Sequence, residues 1–145
     1  MTDDEVQSYL DEQRILNVAT LSPTGHPHLV AMWYALVDGK LQFWTFAKSQ
    51  KIVNLRRDPK MTGLVESGDT YNELKGAELV GNGRVIDDFD QIMRLGVELA
   101  VRYNGPQAAS PETRLFVEMQ ARKRLAVEFE IERIVSWDHS KISGY

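Results

Sequence analysis

The sequence predicts an α+β fold, mainly β, in which antiparallel strands form a barrel flanked by helices. Three observations carry that expectation. Short apolar segments follow one another through hairpin-type turns, as at Ser22-Pro23-Thr24-Gly25 and Asp38-Gly39. Near the end, Leu125, Val127, Phe129 and Ile131 alternate with Ala126, Glu128, Glu130 and Glu132, the period of a strand. The clearest helical pattern, opened by Asp88, comes after most of the hairpins rather than between parallel strands, which argues against a doubly wound sheet.

Taken in order, Thr2 and Glu5 have capping-box spacing, and Val6, Tyr9 and Leu10 form the apolar stripe of a short helix. Ile15 to Leu21 reads as a strand. His28 to Val37 is apolar on both faces, so it is expected to be one strand covered on both sides, inside a barrel or against a second subunit. Lys40 to Phe46 returns from the Asp38-Gly39 turn. Ser49 is placed as the N-cap of a helix that Asp58-Pro59 closes. Met61 to Glu66 and Ala77 to Ile86 are further strands, and Gly81 with Gly83 marks a bulge or a close approach. Phe89 to Tyr103 carries one apolar stripe ended by Gly105-Pro106, and Ser110-Pro111 opens another helix.

Bulk properties narrow the function. A chain of 145 residues is the size of one domain, so a single domain spanning 1–145 is expected. The absence of cysteine rules out disulfides, zinc-thiolate and iron–sulfur sites and cysteine nucleophiles, and it fits a reducing compartment. A net charge of −4, from 17 basic and 21 acidic residues, argues against a broad nucleic-acid surface. No apolar run approaches the ~18 residues of a membrane span, and the acidic start MTDDE lacks the layout of a signal peptide. A cytoplasmic protein without a membrane or nucleic-acid partner is expected.

Chemistry concentrates in Phe43 to Lys51. A strand delivers Trp44 and Thr45, a short loop follows, and a helix starts at Ser49 with Lys51 in its first turn. Lysine opposes the positive end of a helix dipole unless an anion lies there; free backbone N–H groups, the Ser49 hydroxyl and the Lys51 ammonium would then converge on a phosphate. Solvated lysines at 48 and 51 are the other reading. His26, His28 and His139 match no metal-ligand spacing, and no metal site is expected. Tyr34, Tyr71 and His28 are possible proton donors, but no catalytic residue is assigned. The carboxylates at 128, 130 and 132 read as solvated or cross-strand partners.

The stretch FWTFAKSQKIVNLRRDP resembles the phosphate-binding segment of the pyridoxamine 5′-phosphate oxidase-like split β-barrel family: an aromatic-Thr strand end, then Ser-x-Lys, then a short helix closed by Asp-Pro. SPTGHPHLVAMWYALVDGKLQFWT is similar to that family's preceding hairpins and RIVSWDHSK to its closing strand, so the resemblance runs from Ile15 to Asp138. It implies a split barrel and a homodimer that holds FMN, or in one branch the deazaflavin coenzyme F420, in a groove between subunits. Carried over by position, Trp44 and Thr45 would contact the cofactor from the strand end. Ser49 and Lys51 would bind its phosphate, with Gln50 between them in the same cofactor-binding set. Val30, Ala31, Met32 and Trp33 would lie beside the ring system.

Two departures refine the expectation. The oxidase proper resembles Ser-Arg-Lys where this chain has Ser49-Gln50-Lys51, and WDHSKISGY has no counterpart of the oxidase's basic substrate-binding residues, which points away from vitamin B6 as substrate. KSQKIVNLRRDP with the terminal VSWD looks more like the F420-using branch, whose coenzyme has an anionic oligoglutamate tail. Lys48, Arg56, Arg57 and Lys60 could meet that tail, or be the solvated end of a helix. The expected activity is hydride transfer between F420 and a small unsaturated or conjugated substrate. An FMN-dependent enzyme of the same fold and a non-catalytic flavin or haem carrier are the alternatives.

Overall fold

The period-two segments become seven strands of one antiparallel sheet. The computed structural model describes residues 1–142. Its elements run α1 (Asp3–Glu12), β1 (Leu16–Leu21), β2 (Pro27–Met32), β3 (Ala35–Val37), β4 (Lys40–Phe46), α2 (Gln50–Arg57), β5 (Lys60–Ser67), β6 (Lys75–Ile86), α3 (Phe89–Asn104), α4 (Pro111–Ala121) and β7 (Arg124–Asp138). Single 3₁₀ turns precede β6, separate α3 from α4 and follow β7. The domain expectation of 1–145 extends over residues 143–145, which lie outside the described residues. No described helix is long and apolar enough to cross a membrane.

The strand order is β2-β1-β5-β6-β7-β4-β3, so β2 and β3 are the two edges of a sheet curled into a half-barrel. Its concave side gathers Leu16, Val18, Phe43, Val65, Leu79 and Val127, all closed to solvent. The α1 helix, held by its capping box, plugs one mouth with Val6, Tyr9 and Leu10; the Tyr9 hydroxyl reaches Ser67 Oγ at 2.7 Å and the Lys75 carbonyl at 3.0 Å. The α2 helix closes the other with Ile52 and Leu55. A Cβ on Gly83 would stand 2.9 Å from Leu55 Cδ2, so the bare backbone there admits α2. At Gly81 the β6–β7 register shifts, the bulge expected from the sequence, and a Cβ would lie 2.0 Å from the Glu130 carbonyl oxygen.

The expected single strand from His28 to Val37 is broken. β2 ends at Met32 on one edge and β3 starts at Ala35 on the other, so Trp33-Tyr34 crosses the seam of the half-barrel. Side chains replace the ladder at the crossing. Tyr34 N donates to the Tyr103 hydroxyl at 2.9 Å, and that hydroxyl donates to the Tyr34 carbonyl at 3.0 Å. Two-sided apolarity here reflects a strand pair with a buried tyrosine between them, a distinction periodicity cannot draw.

Helices α3 and α4 pack over the convex side of β3, β4 and β7. The first half of β7 is therefore buried on both faces, and of the two readings of Glu128, solvated or cross-strand partner, the second holds: it is 6% exposed. It accepts from Arg84 Nη2 at 3.0 Å and Gln42 Nε2 at 3.2 Å, the cross-strand partners that make its burial tolerable. Among the described residues no helix covers the convex face of β2, β1, β5 and β6. Leu29 (66% exposed), Ala31, Ala19, Leu64 and Val80 share that side, and a cavity of about 500 Å³ opens on it between Leu21, Pro27, Lys60 and Glu132.

Candidate functional site

The end of β4 and the start of α2 place Thr45, Ser49, Gln50 and Lys51 together. Thr45 is buried, and its Oγ1 donates to Ser49 Oγ at 3.2 Å. Ser49 is the N-cap by backbone geometry, yet its side chain accepts no bond from the helix. The first-turn amides of α2 therefore have no side-chain cap, the arrangement in which a helix start receives an oxygen anion. Gln50 Nε2 donates to Asn54 Oδ1 at 2.8 Å, and Asn54 Nδ2 donates to Thr20 Oγ1 at 3.1 Å, which ties α2 to β1.

Lys51 is the electrostatic anomaly. It is 9% exposed, and among the described residues no carboxylate lies within ion-pair distance of it. Burial lowers its pKa from the ordinary lysine value. A cation held this way is missing its counter-charge, and a phosphate group fits the donor set of ammonium, hydroxyl and backbone N–H.

The other sequence-assigned residues divide. Thr20 pairs with His28, Val18 with Val30 and Leu16 with Met32, so those β2 side chains face the concave side, while Ala31 faces the convex one. Trp33, 53% exposed, lies beyond the strand end with its ring stacked 4.1 Å from that of Tyr103. Trp44 is not brought to the Thr45–Lys51 cluster. Consecutive strand residues point to opposite faces, and the Trp44 ring packs beneath α3, where a Cβ on Gly96 would lie 2.6 Å from Cζ3.

The basic cluster is also divided. Arg57 donates to the Leu21 carbonyl, and Lys60 lines the convex-face cavity. Arg56, one helical step of about 100° away, faces a separate cavity with Arg122 and Arg124. Of the possible proton donors, Tyr34 is closed to solvent; it donates to Leu10 O at 2.5 Å and Gln13 O at 3.0 Å, and burial pushes its pKa up to about 12. His28 Nδ1 is buried without a partner among the described residues. Asn54 was not singled out from the sequence, although an asparagine between Ile52 and Leu55 on a helix's buried side is a readable signal.

A family model described as pyridoxamine 5′-phosphate oxidase matches residues 2–138. The chain belongs to this family. Among solved members of the fold, a conserved hypothetical protein from Mycobacterium tuberculosis is 40% identical with a TM-score of 0.91, over 96% of this chain and 86% of that one. An F420 reductase superposes with a TM-score of 0.67 at 23% identity, over 89% of this chain and 94% of its own. The heme storage protein of Vibrio cholerae gives 0.70 at 12% identity, over 92% of each chain. The last two share the fold at low identity. No curated protein matches the chain.

Proposed function

We propose that this protein is an oxidoreductase that uses the deazaflavin coenzyme F420 to transfer a hydride to a small unsaturated or conjugated substrate, working as a homodimer. One observation carries the reading: Lys51, buried and without an anionic partner, stands at an uncapped helix start beside Ser49. In this reading Ser49, Gln50, Lys51 and Thr45 hold the cofactor's phosphate, and Arg57, in the last turn of α2, meets an anionic extension. Val30, Met32 and the exposed ring of Trp33 border the tricycle along β2, with Ala31 on the opposite side of the strand. The cofactor supplies the hydride; the protein orients it and keeps water away. The convex face of β2, β1, β5 and β6 would be covered by the second copy.

The F420 assignment is supported by the resemblance of KSQKIVNLRRDP to that branch and by the fold shared with an F420 reductase. FMN is the second reading, because the Ser49–Lys51 site would hold the phosphate of either cofactor. The test is a side-by-side fluorescence titration of purified protein with F420 and with FMN. Tight F420 binding with weak FMN binding supports the proposal, and the reverse makes the protein a flavoprotein. Lys51→Ala is expected to weaken binding by about 1.5–3 kcal/mol, the scale of a charged hydrogen bond. Binding of neither cofactor would remove the redox reading.

A further inference from the structure

Beside α2, a cavity of about 350 Å³ opens between the β4–α2 loop, the last turn of α2, the first turn of α3 and the α4–β7 junction. Arg56, Arg122 and Arg124 line it, with Asp87 the only carboxylate on its wall among the described residues. Arg124 defines its chemistry. The guanidinium lies 4.4 Å from the Phe46 ring centre and 5.1 Å from that of Trp44, which fixes its plane. Its Nη1 donates only to Gln120, to the carbonyl at 3.2 Å and to the side-chain oxygen, both neutral acceptors. Among the described residues no carboxylate pairs with it, and burial lowers its pKa from the ordinary arginine value. Arg122 gives one nitrogen to Glu118 at 2.8 Å, and Arg56 and Asp87 form no ion pair among the described residues.

The remaining wall is apolar. Phe89, 42% exposed, joins Ile92, Leu125, Ala47 and Ala121. A compact anion meeting three guanidinium groups beside a flat hydrophobic wall describes an aromatic carboxylate, and the volume falls in the range of small-ligand sites, which begin near 300 Å³. We infer that the Arg56–Arg122–Arg124 cavity is a second ligand site, for a small aromatic carboxylate, separate from the Ser49–Lys51 helix start. The carboxylate takes the free edge of Arg124, whose orientation the two aromatic rings already hold, and the ring lies against Phe89. The site does not depend on the cofactor assignment.

The test uses the cofactor-free protein and 2-naphthoate as the probe, followed by the chemical shifts of the Trp44 indole N–H and the arginine Nε–H groups. The neutral 2-naphthylmethanol is the control. Saturable shifts at Arg124 and Trp44 with naphthoate, and at least tenfold weaker binding of the alcohol, are expected. Arg124→Gln should weaken naphthoate at least tenfold, and Arg122→Gln, at an exposed position that leaves the Trp44 stack intact, should weaken it severalfold. Lys51→Gln should leave it unchanged. No saturation at millimolar probe, equal binding of the alcohol, or a loss in Lys51→Gln but not in the arginine variants would overturn the inference.

Discussion

Asn54 donates its amide to Thr20 Oγ1 across 3.1 Å, and both side chains are buried. This bond joins α2 to β1, and Gln50 extends it to the helix start through Asn54 Oδ1. Removing the amide would leave the Thr20 hydroxyl and the Gln50 amide short of a partner, one of them in the core. Asn54→Ala is expected to cost about 1–3 kcal/mol of stability, the range for stranding a buried polar group. It should also weaken phosphate-type binding, because Gln50 loses its anchor. Urea unfolding measures the first effect and ligand titration the second; an unchanged midpoint would show that α2 is held by Ile52 and Leu55 alone.

Lys51 makes a distinct pH signature. Its pKa is lowered by burial, so in the alkaline range below the ordinary lysine value the unfolded chain binds more protons than the folded one. The contribution of this group to stability therefore rises with pH across that window. Lys51→Met should flatten the rise, seen as melting temperature against pH. Added inorganic phosphate should stabilise the wild-type protein more than Lys51→Met near neutrality, because an anion supplies the missing counter-charge. Equal stabilisation of the two proteins would count against an anion site at this residue.

Tyr34 acts in the opposite sense and at higher pH. Its folded pKa of about 12 exceeds the ordinary value near 10, so the folded state keeps the proton longer. The stabilisation is complete below about pH 10 and is lost as pH rises toward 12. Two pKa units correspond to on the order of 2–3 kcal/mol. Tyr34→Phe should abolish that alkaline loss. It should also lower stability near neutrality by roughly 0.5–1.5 kcal/mol, the net worth of one hydrogen bond, since Leu10 O and Gln13 O lose the tyrosine donor but keep Arg102 Nη2. Denaturant titrations of both proteins across this range check the sign and the size.

Local signals carried well from sequence to structure. Thr2 with Glu5 forms its capping box, and Asp38-Gly39 turns with φ of 52° and 77°, the paired positive values a two-residue hairpin requires. Gly105 ends α3 with φ of 98°. What stayed hidden depends on distant partners. The break at Trp33-Tyr34 is set by Tyr103, some 69 residues away, and which residues pair with Glu128 across the strands, Arg84 and Gln42, is set by the register. Arg56 and Arg57 look like one cluster in the chain, but the helix turns Arg56 toward a cavity with Arg122 and Arg124 and Arg57 toward the Leu21 carbonyl. At the site, Ser49 and Lys51 were legible because they share one turn. The orientation of Trp44 depended on Gly96, which opens the space under α3.

The Gly81 bulge tests the strand register. A methyl group at this position would meet the Glu130 carbonyl oxygen at 2.0 Å, and a backbone atom cannot move aside as a flexible side chain can. Gly81→Ala is expected to destabilise the protein by at least about 1–3 kcal/mol, the usual cost of overpacking. Gly25→Ala offers a comparison, since its Cβ would meet nothing within 4 Å and the change acts only through its φ of 86°. Thermal unfolding of the two variants should separate steric conflict from backbone strain, with Gly81→Ala the less stable.

The uncovered convex face leads to an assembly prediction. Leu29 is 66% exposed on edge strand β2, and its register partner Ala19 continues the apolar surface toward Thr62 and Val80. A monomer would leave this surface and the outer hydrogen-bonding edge of β2 in water, a combination that favours association. Leu29→Glu changes nothing in the core, so the fold should tolerate it within about 0.5 kcal/mol. Sedimentation at micromolar protein is expected to give a dimer for the wild-type chain and a monomer for Leu29→Glu. Cofactor binding should fall with the dimer if both subunits border the groove. A monomeric wild-type protein that binds its cofactor fully would instead place the whole site within one half-barrel.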